Sequence, residues 1–550
     1  MTLNKKCLFL AQFFLFTGIV FFVFGCAVPQ KPQGGPKDVN APKLLKATPA
    51  NQTHNFSSRV IELDFDEYFK LANPFQEISI SPTQEKQPDY NYTKKAKSLI
   101  ITLKDTLHKN TTYVINFGKA IVDLNEGNVL KNFTYVFSTG THIDSLSISG
   151  RVINTLTQDR EKDVTVMLFS LLEDSLRFRK KKPTIYTTTD TAGNFTLGNL
   201  HEGIYKLYAL KETAADKIYN NENELIGIPN KIINLQVDTS NVQLSLFKEV
   251  PMKFNYSVKR FDADGKIFLA FNRPLDKPGL RIIYPAALNA DKYVEINKTR
   301  DTAMLYIKNM DFDSVRIARF DNNKPIDSVS FRKGRKETYT RTVSIGTNAD
   351  GRGLLKPGTD LLLTASTPIT SYDQSLIELK GDSTIITDYT LKQDTANLKR
   401  FTLSYKWRQN VGYTLTFNEN ALTGYWGEKN KKLIPRRFKV DKPDNYSKLT
   451  LLVTVPDTSK AYLVEFLSEQ GSLIQSTTLR DNRPIVFRSL LAGKYRVRVI
   501  YDDNKNGKWD SGDIKTNRQP ENVWVDRQVI PVRANLDTDV PIDIPREPTP

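Results

Sequence analysis

Alternation of apolar and polar residues with a period of two is the feature that most restricts this chain. In Val60-Ile61-Glu62-Leu63-Asp64-Phe65-Asp66, Ile61, Leu63 and Phe65 share one face, and Glu62, Asp64 and Asp66 the other. Thr112 to Phe117, Lys266 to Phe271, Tyr413 to Phe417 and Tyr495 to Ile500 read the same way. Turn formers separate these runs at short intervals, and long helical periodicity is missing. Such a period is that of a strand with one buried face. Many short strands so spaced predict an all-β chain of tandem β-sandwiches.

Residues 26–550 are too many for one core and enough for four to five domains of about 100 residues. The chain has two cysteines, Cys7 and Cys26. Beyond them no disulfide can tie a sandwich, and thiolate metal sites and cysteine nucleophiles are excluded. The formal charge of +17 is concentrated at Arg177 to Lys182, Arg332 to Arg341 and Lys429 to Lys439. Patches of this kind attract anionic lipid or glycan surfaces. They are separated and lack regular aromatic interleaving, so nucleic acid is not an expected partner. Solvated loop charge that keeps a long β-protein soluble is the favoured reading.

At the start, Lys5 and Lys6 precede an apolar run from Cys7 to Phe24, followed by Gly25-Cys26. This is the layout of a secretory signal peptide. Val23, Gly25 and Cys26 resemble the −3, −1 and +1 positions of bacterial lipoprotein signals. The resemblance implies cleavage after residue 25, lipid attachment at Cys26 and anchoring through two or more acyl chains; an uncleaved N-terminal anchor is the alternative. Residues 26–41, rich in proline and glycine, read as a flexible tether. Asp38 is the first acidic residue, so the tether lacks the acidic run that sends many Bacteroidetes-type lipoproteins to the cell surface. An outer-membrane location facing either the periplasm or the exterior is expected.

Five folded segments follow. In residues 42–142, Tyr113, Ile121-Val122-Asp123, Gly127-Asn128 and Phe137-Ser138-Thr139 resemble the SbsA-type bacterial Ig-like module. In residues 145–248, Asp190 to Phe195 and Leu200-His201-Glu202-Gly203-Ile204-Tyr205 resemble the transthyretin-like, carboxypeptidase-regulatory-like sandwich, a family without catalysis of its own. Leu490-Leu491-Ala492-Gly493-Lys494-Tyr495 repeats that spacing, so residues 444–546 are expected to be a second copy. Residues 249–343 are strand-rich without a family signature. Residues 344–441, with Trp407, Tyr413 to Phe417 and Glu419 to Gly427, faintly resemble another Ig-like module.

The clearest chemical constellation is Asp502 to Asp513. Oxygen-bearing side chains fall at positions 1, 3, 5, 9 and 12 of the stretch, with Gly507 at position 6, the spacing of an EF-hand-type calcium loop. Asp502, Asn504, Asn506, Asp510 and Asp513, with the Lys508 carbonyl, are the candidate ligands of a structural calcium. Position 12 is Asp rather than Glu and the flanks read as strands, so an Asx-rich loop without metal weighs equally. Trp509, inside the loop, is the tryptophan marked for ligand contact. No cofactor beyond calcium is indicated. His54, His108, His142 and His201 are scattered, and no hydrolase elbow, phosphate loop or zinc-protease motif occurs. Asp64, Asp66 and Glu67 could suggest glycoside hydrolysis, but Asp64 and Asp66 occupy the polar face of a strand, which solvation explains. The sequence therefore predicts a lipid-anchored, non-catalytic envelope protein that binds or scaffolds other envelope components. A periplasmic accessory subunit of an outer-membrane complex and a glycan-binding or carbohydrate-active lipoprotein are the alternatives.

Overall fold

The computed structural model describes residues 37–92, 97–221, 223–251, 253–334 and 338–547. The signal segment, Cys26 and most of the tether lie outside these. Among the described residues no helix is long and apolar enough to cross a membrane. The chain divides into two compact units, Met1–Asp144 and Ser145–Pro550, and nearly all regular structure is strand. Tandem all-β sandwiches are what the alternating pattern predicts.

In the first unit, Val60–Phe65 turns Ile61, Leu63 and Phe65 into the core. It sits between Leu44–Thr48 and Ser98–Thr102, with Asp89–Asn91 completing a four-stranded sheet. The opposing layer orders Thr134–Ser138, Thr112–Asn116 and Ser79–Ser81, and a small third sheet holds Phe69–Leu71, Ile121–Asp123 and Val129–Leu130. The Tyr113 ring stacks on Phe137 at 5.2 Å, and its hydroxyl accepts the His108 N–H at 2.8 Å.

Residues 344–441, within the second unit, repeat this plan. Ile345–Thr347, Leu361–Ala365, Arg400–Ser404 and Thr390–Gln393 form the four-stranded layer in corresponding order. Ile434–Val440, Gly412–Phe417 and Ile377–Gly381 form the facing one, extended by Leu354–Leu355 and Thr384–Ile386. Tyr413 stacks on Phe438 at 5.4 Å, and its hydroxyl accepts the Arg408 N–H at 2.7 Å. Here the tyrosine again satisfies an N–H five residues earlier in a turn whose Asn410, like Asn110, has positive φ. Such conformations favour Asn.

A second repeat joins residues 145–248 to 444–546. In the earlier copy Leu146–Asn154 lies between antiparallel Asn194–Leu200 and parallel Thr239–Leu246; in the later one Tyr446–Thr454 lies between antiparallel Arg483–Leu491 and parallel Thr538–Asp543. The other layer centres on Gly203–Lys211 in one and Gly493–Asp502 in the other, each pairing with a long strand and two short ones. The recurring Leu, Gly and Tyr thus have one physical role. Each glycine opens the central strand, and two residues on a tyrosine hydroxyl donates back to a carbonyl four residues upstream: Tyr205 to His201 at 2.9 Å and Tyr495 to Leu491 at 2.6 Å.

Residues 253–334 carry two further sheets, Tyr256–Phe261, Ile267–Phe271, Thr302–Ile307 and Lys292–Ile296 in one, and Pro278–Tyr284, Ser314–Asp321 and Lys324–Arg332 in the other. Arg319 is fully buried in this core. Its guanidinium lies over Phe254 at 3.9 Å and Tyr256 at 4.2 Å and binds Asp327 through two nitrogens. Cation–π attraction and a bidentate carboxylate together compensate the desolvation of such a charge.

Tyr113→Phe and Tyr495→Phe are each expected to cost about 1 kcal/mol, the net value of one hydrogen bond. Hydrogen exchange on the full chain should show faster exchange confined to the sandwich that carries the substitution.

Candidate functional site

Asp502 ends the strand Gly493–Asp502 and is buried. Its carboxylate accepts the N–H groups of Asn506 at 2.9 Å and Gly507 at 2.8 Å, which bends the loop at Gly507. Asn504 Oδ1 accepts Asn506 N–H, and Asn506 Oδ1 accepts Lys508 N–H. Both amides then point their nitrogens at Asp510 Oδ2, at 2.7 Å from Asn506. Of the candidate ligands, Asp502, Asn504, Asn506 and Asp510 are brought together. Asp513 does not join them. Its backbone pairs with Arg518 and its carboxylate accepts Thr516 N–H at 3.0 Å in a separate turn.

In its place comes Glu521, which the sequence did not signal. Its two oxygens accept Asp503 N–H at 3.0 Å and Asp510 N–H at 2.9 Å. Burial raises its pKa, with the charges of Asp510 and Asp502 adding to it and the two N–H bonds it accepts working against it. Among the described residues no group of three or more His, Cys, Asp or Glu side chains is placed to hold a metal. The loop closes on its own hydrogen bonds, and a hard cation would require both amides to reverse so that oxygen faces Asp510.

Beyond the loop, the chain docks on the sandwich of residues 145–248. Ser511 Oγ donates to the Lys248 carbonyl, Ile514 N–H to Glu249 Oε1 at 2.8 Å, and Gln519 to the Ile228 carbonyl at 3.1 Å. A Cβ on Gly512 would stand 2.5 Å from the Phe247 ring, so only glycine admits this close approach. Trp509 packs against the buried cluster that includes Tyr219 and Phe247 on one side and against Leu463, Ile500 and Val523 on the other. Its indole N–H donates to the Glu521 carbonyl at 3.2 Å. The residue marked for ligand contact is thus placed as a bolt between two sandwiches. Trp426 does the same work elsewhere, donating to the Ile307 carbonyl at 2.7 Å beneath the Arg341 guanidinium, while Trp407 packs beside Tyr413.

A cleft of about 650 Å³ opens beside the docked loop. One wall is aromatic, with Phe178 stacked on Tyr208 at 4.0 Å and Arg179 over Tyr219 at 4.6 Å. Part of the basic run at Arg177 to Lys182 lies here, and its neighbours neutralise it. Glu249 holds Arg179 at 2.9 Å and the Tyr219 hydroxyl at 2.8 Å, and Asp174 holds Lys206 at 2.7 Å and the Tyr208 hydroxyl at 2.8 Å. Burial raises both tyrosine pKa values. Since Glu249 also receives Ile514, this wall serves the joint between the two sandwiches. In the first unit, Asp64 accepts the Ser98 hydroxyl and Asp66 the Lys43 N–H, structural bonds for two of the three carboxylates that had suggested hydrolysis.

Residues 38–139 match a bacterial Ig-like domain family. No curated protein matches the chain. Among solved structures, the chain is similar at 11% identity to the major pilin subunit BcpA of Bacillus cereus, over 72% of this chain and 99% of that one, with a TM-score of 0.13. The S-layer protein SbsC matches at 10% identity, over 85% and 66% of the two chains, with a TM-score of 0.15. The Bacillus anthracis TIE protein matches at 10% identity, over 93% and 75%, with a TM-score of 0.14. At these scores the likenesses carry no argument, and the Ig-like family rests on residues 38–139.

Two measurements probe the joint. Gly512→Ala should displace Phe247 at a cost of about 1–3 kcal/mol, the usual range for overpacking, with faster hydrogen exchange on both faces. Calcium titration followed by thermal unfolding should show no shift for a loop closed by hydrogen bonds. A rise that Asp510→Ala removes would mean that the amides reverse around a cation.

Glu521 makes the joint pH-dependent. Its folded pKa exceeds its unfolded one, so its charged form is disfavoured by folding, and stability falls as pH rises through the raised pKa. The difference in unfolding temperature between wild type and Glu521→Gln should therefore change in that window, with wild type losing relative stability as pH rises.

Proposed function

We propose that this chain is a non-catalytic envelope protein, anchored by a lipid on Cys26, that scaffolds other envelope components on tandem sandwiches. The observation that carries the reading is the character of the joints in the second unit. Trp509 and Phe247 lock residues 145–248 to the C-terminal sandwich, and Trp426, Tyr425 and the Glu295–Lys399 pair lock residues 253–334 to residues 344–441. Buried aromatic joints hold domains at fixed spacing, whereas polar linkers let them move. The bacterial Ig-like match over residues 38–139 supports a binding or structural role and an envelope or extracellular setting. The membrane face, and with it the accessory-subunit alternative, is decided by protease access in intact cells.

The expected outcomes are specific. Metabolic labelling with a fatty acid should mark the wild-type chain and fail on Cys26→Ser. Limited trypsin digestion should leave a resistant fragment of residues 145–550 despite its many lysines and arginines. Its rapid decay to pieces of about 100 residues would remove the rigid-scaffold reading.

A further inference from the structure

A second cleft between the same two sandwiches has a different chemistry. About 260 Å³ in volume, it brings together Arg151, Arg160, Arg496 and Arg527 with Trp524, against only two acids, Asp159 and Asp526. The arginines come from separate stretches and none belongs to the basic runs of the sequence. Their bonding leaves most of this charge unanswered. Arg151 gives Nε to Gln243 at 2.9 Å, and Arg160 gives Nη1 to Asn194 at 3.2 Å. Among the described residues the side chains of Arg496 and Arg527 have no hydrogen-bond or ion-pair partner. Arg498 shows the contrast. Two residues along the same strand, it is half-buried like Arg496, yet it pairs with Glu465 at 2.6 Å and donates to the Leu156 carbonyl. Asp526 already accepts the Gln528 N–H.

The cleft continues past Arg151 and Gln158 into an adjoining one of about 290 Å³. There the lining changes to uncharged amides and hydroxyls, including Asn241, Ser245 and Asn522. One groove is therefore strongly cationic at one end and rich in neutral hydrogen-bonding groups at the other. Guanidinium groups recognise carboxylates bidentately, and amides and hydroxyls suit sugar hydroxyls. A compact inorganic anion would use only the first half. We propose that this groove binds an acidic oligosaccharide, with carboxylates on Arg496 and Arg527 and neutral hydroxyls toward Asn241 and Asn522. The inference rests on the binding-and-scaffolding reading and names its ligand class.

The test is calorimetric titration of the full-length protein in detergent with tetragalacturonate, using maltotetraose as the neutral control. Tetragalacturonate is expected to bind with a Kd below about 1 mM and more weakly as salt rises. Arg496→Gln with Arg527→Gln should weaken binding about tenfold or more, while Arg480→Gln with Arg488→Gln, an equal charge loss outside both clefts, should leave it unchanged. Circular dichroism should be unaltered, since the guanidinium groups of Arg496 and Arg527 bond to nothing else among the described residues. Undetectable binding, equal binding of maltotetraose, or equal weakening by both double variants would overturn the proposal. Such a failure would leave the scaffold reading standing, because that reading is tested by lipid labelling and the resistant fragment.

Discussion

Both cysteines lie within the first 26 residues, so every sandwich described here holds its layers together without a covalent tie. The load falls on aromatic rings and on hydroxyls that satisfy stray backbone groups. Tyr113 and Tyr413 show both parts in one side chain: the ring stacks on a phenylalanine of the neighbouring strand, and the hydroxyl accepts an N–H left over by the preceding turn. Tyr205 and Tyr495 solve the opposite problem, donating to a carbonyl upstream of the strand. An unsatisfied buried backbone group costs as much as a lost hydrogen bond or more, so one phenol replaces some of what a disulfide would otherwise supply.

The same logic extends from sheets to domains. Phe247 meets the C-terminal sandwich where Gly512 leaves room for its ring, and Glu249, two residues on, receives Ile514, Tyr219 and Arg179. The Asp502 to Asp513 loop is shaped for this docking. Its acidic and amide groups bend the chain at Gly507 and clamp it through Glu521, which delivers Ser511 and Ile514 to the facing sandwich. The Asp502 to Asp513 stretch thus serves the joint between two sandwiches.

What was legible in the sequence was whatever is local. Period-two alternation revealed Val60–Phe65 and its relatives because burial on one face is written into consecutive residues. The Leu, Gly and Tyr spacing revealed the related sandwiches because the hydroxyl bond spans only four residues. The kinship of residues 344–441 with the first unit was faint for a physical reason. His108 and Arg408 are equivalent through a backbone N–H, and a backbone donor places no demand on the side chain. Glu521 carried no signal either, since nothing nearby in sequence marks an acid that will turn inward to clamp two N–H groups.

Charge was the least legible property. The run from Arg177 to Lys182 lies near a helix and a strand that supply acids of their own. Asp174, Glu173 and Glu249 answer Lys206, Arg177 and Arg179 within the fold. Arg496 and Arg527 lie outside the basic runs, and the packing of two sandwiches brings them to Arg151 and Arg160 with only Asp159 and Asp526 beside them. A binding site built this way is a property of the joint, which is why fixing that joint with Phe247, Gly512 and Trp509 also fixes the spacing of the charges.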